Sequence, residues 1–135
     1  MYDVITCGSA TFDVFVQSDN DTITIETGSK LSQKLIAYES GAKILIDELL
    51  YAIGGGGTNT AVSFSRLGCK TGYIGCLGDD EPSDSVRELL DREHIDFLGH
   101  DTNEKTGYSI ILDSKAQDRT ILTYKGANNR LDFSQ

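Results

Sequence analysis

Apolar and polar positions change their period several times along this chain, and each change marks an element. Val4 to Cys7 is a short apolar run closed by Gly8-Ser9, which predicts a buried strand. In Thr11-Phe12-Asp13-Val14-Phe15-Val16 the residues alternate, so Val14 and Val16 share one strand face while Asp13 and Phe15 share the other. Thr22 to Glu26 alternates again between the polar cluster Ser18-Asp19-Asn20-Asp21 and the turn Thr27-Gly28-Ser29, the pattern of a surface hairpin. Lys34 to Tyr38, Lys43 to Ile46 and Leu49 to Ile53 are further short apolar runs that read as strands. From Asn59 the period becomes helical, with Ala61, Val62, Phe64 and Leu67 on one side, Thr58 or Asn59 as candidate caps and Gly68 as the stop. Thr71 to Leu77 is a strand, expected to run parallel to the Leu49–Ile53 strand across that helix in a βαβ unit. Asp80, Ser83 or Asp84 then caps a second helix, in which Val86, Leu89 and Leu90 form an i, i+3, i+4 stripe and which ends near His94. A β-hairpin closes the pattern, Tyr108 to Leu112 and Arg119 to Tyr124, with Tyr108, Ile110 and Leu112 facing one way and Ser109 and Ile111 the other.

Between the fifth apolar run and the first helix stand four consecutive glycines, Gly54 to Gly57. Each loses more backbone freedom on ordering than any other residue, so a folded chain keeps such a run where something approaches the backbone closely or φ must be positive. Loops at the carboxyl ends of strands in open α/β sheets hold ligands, and a helix N-terminus adds partial positive charge there. We therefore read this loop as a substrate cradle. Neither common phosphate loop fits: the dinucleotide fingerprint needs a third glycine where Asn59 or Thr60 stands, and no Gly-Lys-Ser/Thr follows.

Charge narrows the partners. With 135 residues and 39% hydrophobic content the chain suits one compact unit, and 21 acidic against 12 basic residues give a net charge of −9. That balance argues against nucleic acid and anionic membrane surfaces as partners. Cys7, Cys69 and Cys76 form no C-x-x-C pair and read as buried free thiols in a reducing compartment; with no basic n-region and no membrane-length apolar run, a cytoplasmic location is expected. His94 and His100 lack a third partner at ligand spacing and read as surface or loop residues, with no metal site.

The run Gly55-Gly56-Gly57-Thr58-Asn59-Thr60-Ala61, followed by Gly68 and Gly78, resembles the first signature of the ribokinase-like (PfkB) carbohydrate kinases. Gly8 with Asp13, Arg66-Leu67-Gly68, Gly78-Asp79-Asp80, Thr106-Gly107, and Arg119-Thr120 leading to Gly126-Ala127-Asn128 agree in order. The resemblance implies a doubly wound α/β domain with a small β-sheet lid, its strands at about 14–26 and 107–124, and a sugar or nucleoside held between them and phosphorylated from ATP with Mg. It also implies that Asp13 and Asn59 hydrogen-bond substrate hydroxyls, that Gly54 and Gly55 permit close approach, and that Thr11, Ser109, Ile111 and Thr123 complete the substrate side. A carboxylate accepts from two hydroxyls and an amide both donates and accepts, so the pair suits a polyol.

Three departures qualify the resemblance. Ribokinases proper carry Lys at the position of Gly56 and Asn at that of Thr11, and Pro82-Ser83 stands where the family has an aromatic residue and a glycine. The family's Gly-Ala-Gly-Asp segment, which carries the catalytic base and anion hole, does not occur in these 135 residues and would lie beyond Gln135, as would the ATP site. The chain alone is therefore expected to bind no cofactor and catalyse nothing, and to be the substrate-binding portion of a kinase; the alternative is a non-catalytic polyol-binding or assembly module. The sheet edge and lid face left without partners predict a homodimer.

Overall fold

The structure, a computed structural model, describes residues 1–17, 22–27, 31–113 and 119–132, with backbone alone for 22–27 and 31–34. In chain order the elements are β1 (Val4–Cys7), β2 (Thr11–Gln17), β3 (Thr22–Thr27), β4 (Leu31–Ile36), β5 (Glu48–Gly54), α1 (Gly56–Arg66), β6 (Thr71–Ile74), β7 (Cys76–Leu77), α2 (Glu81–Arg92), β8 (Asp96–Phe97), β9 (His100–Asp101), β10 (Gly107–Asp113), β11 (Arg119–Tyr124) and a 3-10 helix, Gly126–Arg130. By contacts the chain divides into two units: Met1–Asp13, Tyr51–Ser109 and Thr123–Gln135 form the first, Val14–Leu50 and Ile110–Leu122 the second. The boundary falls inside each strand of a four-stranded sheet of order β11-β10-β2-β5.

The first unit is an α/β layer. Its parallel sheet has the order β1-β6-β8, with Val4 opposite Thr71 and Cys7 opposite Ile74. β7 and β9 continue the β6–β8 pairing at the same offset, Tyr73 opposite Phe97 and Cys76 opposite His100, so the expected Thr71–Leu77 strand is one path interrupted at Gly75. Ala10, Ala61, Tyr73, Leu77, Val86, Leu90 and Ile95 form the buried core, with Ile53, Val62 and Phe97 packed around it. Helix α1 lies close to the sheet because it turns Gly57, Thr58 and Ala61 inward, and the Thr6 hydroxyl donates to the Gly57 carbonyl at 3.1 Å. Its end is a Schellman motif: Gly68 N–H bonds the Ser65 carbonyl at 2.9 Å and Cys69 N–H reaches Phe64 at 3.1 Å, with Gly68 at φ 90°. Helix α2 starts in a capping box between Asp80 and Ser83, with Pro82 in the first turn, where a missing N–H costs nothing. Ser83, the departure from the family pattern, is thus the residue that closes this turn.

The second unit contains the antiparallel β3–β4 hairpin, Thr22 opposite Ile36 and Thr27 opposite Leu31. Its expected turn, around Gly28-Ser29, and that of the β10–β11 hairpin lie outside the described residues. Within this unit Val14 and Ile111 are buried, whereas Leu45 is 85% exposed and Leu50 53%.

Three expectations are corrected. Strand β5 is not the parallel partner of β6; that partner is β1, and β5 pairs into the four-stranded sheet, because local periodicity says nothing about which distant strand supplies the ladder. Lys43–Ile46 forms no strand, since its backbone finds no ladder there; Gly41 turns at φ 80° before it and Asp47 N–H bonds Gln17 after it. Of the three free thiols only Cys76 is buried; Cys7 is exposed and Cys69 intermediate. His100 is a surface residue as read, exposed on β9 with Nε2 3.4 Å from the Cys76 sulfur.

Candidate functional site

The glycine loop is organised by a residue far from it in sequence. Ser9 accepts from the first amides of α1 three times: its hydroxyl from Gly56 N at 3.1 Å, its carbonyl from Gly57 N at 3.0 Å and from Thr58 N at 3.4 Å. These are amides a helix cannot satisfy by itself. Gly55 occupies the N-cap position and contributes no side-chain cap. Neither Thr58 nor Asn59 caps the helix as expected: the Thr58 hydroxyl points back, donating to the Gly54 and Gly55 carbonyls at 2.5 and 3.0 Å. The Gly56, Gly57 and Thr58 amides are thus committed to Ser9.

Two glycines have a demonstrable reason. Gly55 has φ 103°, and a Cβ there would come within 2.7 Å of Ala10 Cα. At Gly54 a Cβ would overlap the Asp13 Oδ2 atom and lie 2.9 Å from its Cγ and 3.1 Å from Thr11 Oγ1. Gly54 thus makes room for the Asp13 carboxylate, and Thr11, Asp13 and Gly54 meet on one side of adjacent strands β2 and β5. Asp13 Oδ1 is buried and, among the described residues, has no hydrogen-bond partner. An unpaired buried carboxylate oxygen is costly, so it marks a place where a donor from elsewhere is favoured.

The remaining expected site residues divide. Ser109 is buried on β10, the strand beside β2, and Gly107 on the same strand brings its backbone against Ala10 and the Thr11 methyl. Ile111, two residues further along β10, is buried within the second unit. Asn59 is exposed on the first turn of α1, where it lines a shallow groove with Thr60, Ser63, Phe64 and Leu67. Thr123 is exposed on β11. The structure brings Thr11, Asp13, Gly54 and Gly55 together with the Ser9–Ala10 backbone, while Asn59 meets them through its backbone N–H, which donates to the Gly55 carbonyl at 2.9 Å, and its side chain, like that of Thr123, stands exposed.

Sequence reasoning missed two residues that hold this arrangement. Asn128 clamps Ala10 from both sides, accepting from its N–H at 3.0 Å and donating to its carbonyl at 2.9 Å, as a neighbouring strand would. The other is Ser9 itself. The Gly-Ala-Asn motif was the only sequence signal for Asn128, and Ser9 had none beyond following Gly8. A third clamp was legible in part: Asp80 accepts from the Thr106 hydroxyl at 2.6 Å and amide at 3.0 Å, and the Thr106 hydroxyl accepts from Gly78 N–H at 2.9 Å.

Beneath the loop the Tyr73 hydroxyl donates to the Gly8 carbonyl at 3.0 Å. Burial, then the nearby Cys76 and Cys7 thiols, push its pKa well above the usual phenol value. Burial likewise raises the Cys76 thiol, so it is a packed residue rather than a nucleophile. Among the described residues no group of three or more His, Cys, Asp or Glu is placed to hold a metal ion.

An α/β unit with parallel strands, a glycine-lined strand-to-helix turn and an aspartate facing it is the ribokinase type of fold. Arabidopsis thaliana ribokinase complexed with ribose and ATP superposes with a TM-score of 0.75 at 22% identity, covering 94% of this chain and 37% of that one. The Giardia lamblia ribokinase structure gives 0.76 at 18% identity, over 98% and 38%. In sequence, Haemophilus influenzae ribokinase is 35% identical over 82 residues, 59% of this chain and 27% of that protein, and Arabidopsis ribokinase 25% identical over 134 residues, 93% and 30%. Residues 25–135 match the pfkB family of carbohydrate kinases. The chain belongs to that family, and it spans a little under a third of the length of these curated relatives. No helix among the described residues is long and apolar enough to cross a membrane.

Proposed function

We propose that this chain supplies the sugar- or nucleoside-binding side of an ATP-dependent kinase, with Asp13 as the residue that fixes the substrate. The observation that carries the reading is the buried Asp13 Oδ1 without a hydrogen bond, held against Gly54. A carboxylate so placed accepts one or two hydroxyl protons and orients a polyol, with Thr11 beside it as a second polar contact. Relatives named ribokinase, fructokinase and aminoimidazole riboside kinase support this substrate class. Asn59 joins the substrate only if ligand brings its exposed side chain in, and ATP and Mg belong to a longer parent. The 135-residue chain by itself lacks a Gly-Ala-Gly-Asp segment and transfers no phosphoryl group at a measurable rate. The exposed apolar side chains of the second unit, Leu45 above all, support self-association as a homodimer through that unit.

Calorimetric titration with ribose, fructose and adenosine tests the central claim. One of them binds, and Asp13→Ala weakens that binding by about 1.5 to 3 kcal/mol with little change in melting temperature, the range for hydrogen bonds to a charged partner. Unchanged affinity with a lowered melting temperature would mean that Asp13 is a structural residue.

A further inference from the structure

A second cleft lies on the other side of the strand that carries Asp13. Because side chains alternate along a strand, Phe12 points away from Thr11 and Asp13. Its ring centroid is 5.7 Å from that of Tyr51 on β5 and 5.5 Å from that of Tyr108 on β10, at interplanar angles of 42° and 29°. Tyr124 on β11 adds a fourth ring, lining a cavity together with Tyr108. Each strand of the β11-β10-β2-β5 sheet thus contributes one aromatic side chain to this stretch of the first unit. Tyr51 and Tyr124 are 61% and 50% exposed.

One face of α2 forms the opposite wall. Glu81, Ser85, Glu88 and Leu89 recur at helical spacing and, with Pro82, look across at the rings. The cleft has three contiguous stretches of about 620, 490 and 440 Å³. Arg92 lines only the stretch beside Ile53, and Lys105 only the stretch beside Tyr124. Among the described residues, the middle stretch, between Phe12, Tyr51 and Tyr108, has Glu81 as its one charged side chain.

Aromatic faces opposite a carboxylate select a cation: the ring quadrupole attracts positive charge and the carboxylate completes its hydrogen bonding. A planar guanidinium stacks on a ring and presents a fork to the acid, which an ammonium cannot do. The protein uses this combination internally, where the Arg87 guanidinium lies 4.9 Å from the Phe97 ring centroid and pairs with Asp101. Four adjacent strands at about 4.8 Å spacing give the aromatic stripe a length of about 14 Å, room for about four residues of extended chain. A free organic cation would fill only one stretch of it.

We propose that the Tyr51–Phe12–Tyr108–Tyr124 cleft is a docking groove for an extended segment of a partner protein carrying an arginine, whose guanidinium stacks on the rings and pairs with Glu81. The groove is independent of the sugar site, and the acidic net charge of −9 favours such a partner over an acidic one.

Fluorescence anisotropy with the 135-residue chain and a short labelled Gly/Ser peptide holding one central arginine tests this. Saturable binding is expected, about tenfold weaker when citrulline, the same shape without charge, replaces the arginine. Glu81→Gln and Tyr51→Ala, both at exposed positions that leave the core intact, each weaken it about fivefold. Asp13→Ala leaves peptide affinity unchanged, which separates this groove from the sugar site. Equal affinity for the arginine and citrulline peptides, or no binding of either, overturns the proposal. So does a Tyr51→Ala variant that binds peptide normally but changes sedimentation mass, since the stripe would then be the seat of a second copy of the chain.

Discussion

The turn around Ser9 and the segment from Leu35 to Leu50 show two ways in which a chain of this length treats its own groups. Around Ser9 the polar groups are committed: three helix amides converge on one residue and Asn128 closes both backbone groups of Ala10, while among the buried side-chain oxygens and nitrogens of the described residues Asp13 Oδ1 is the one left over. Between Leu35 and Leu50 the apolar groups are uncommitted, with Ile44, Leu45, Ile46, Leu49 and Leu50 all more than a third exposed. The first pattern belongs to a scaffold that holds its shape without help. The second leaves apolar area in water that association would bury.

Substitutions that probe the contrast fall in a clear order. The largest effect is expected at Gly55→Ala, where positive φ and the 2.7 Å approach to Ala10 act together. It should cost about 3 kcal/mol or more in urea-monitored unfolding, and a loss under 1 kcal/mol would show that the turn relaxes easily. Asn128→Ala comes next, because it strips Ala10 of two hydrogen bonds at once. About 1 to 3 kcal/mol is expected, together with weaker sugar binding, and Asn128→Asp recovers neither fully because it cannot donate to the Ala10 carbonyl.

Tyr73 gives a pH signature to the same region. Its pKa is raised in the folded state, so above about pH 10 the unfolded chain ionises first while the native phenol keeps its proton. The stability it contributes is complete below that pH and is lost as pH rises, by up to about 1.4 kcal/mol per unit until the folded pKa is passed. Denaturation midpoints compared from pH 9 to 11 check this, and Tyr73→Phe should flatten the decline. The smallest effect on unfolding is expected at Leu45→Ser, within about 0.5 kcal/mol, since the side chain is 85% exposed. Its signature is instead a lower weight-average mass in sedimentation equilibrium. If unfolding moves and mass does not, Leu45 is already packed in solution.

What the sequence disclosed follows the range of the interactions involved. Helix α2, Asp80 among its candidate caps and its Val86–Leu90 stripe depend on residues within two turns of one another and were readable. So was the glycine stop at Gly68. The parallel partner of β6 was misassigned because pairing between strands nearly seventy positions apart leaves no local trace. Asp13 and Gly54 were legible as residues to consider together through family resemblance, and the structure places them side by side, yet the Ser9 carbonyl that satisfies α1 could not be seen, since a backbone oxygen carries no residue type. For the same reason Thr58 and Asn59 looked like caps: their side chains suit the task, and another residue had already performed it.

The Asn128 clamp reaches back across 118 residues to Ala10. Closing so long a loop costs only slowly growing entropy, but it must be met before the contact gives anything in return, which places it late in folding. During synthesis β1, α1 and β6 can assemble as soon as they emerge, whereas the strand start that aims Asp13 stays unfastened until the Gly126–Arg130 turn has left the ribosome. The turn around Ala10 is thus fastened by an element more than a hundred residues further along the chain, and a chain released before Asn128 would keep most of its core while lacking that fastening.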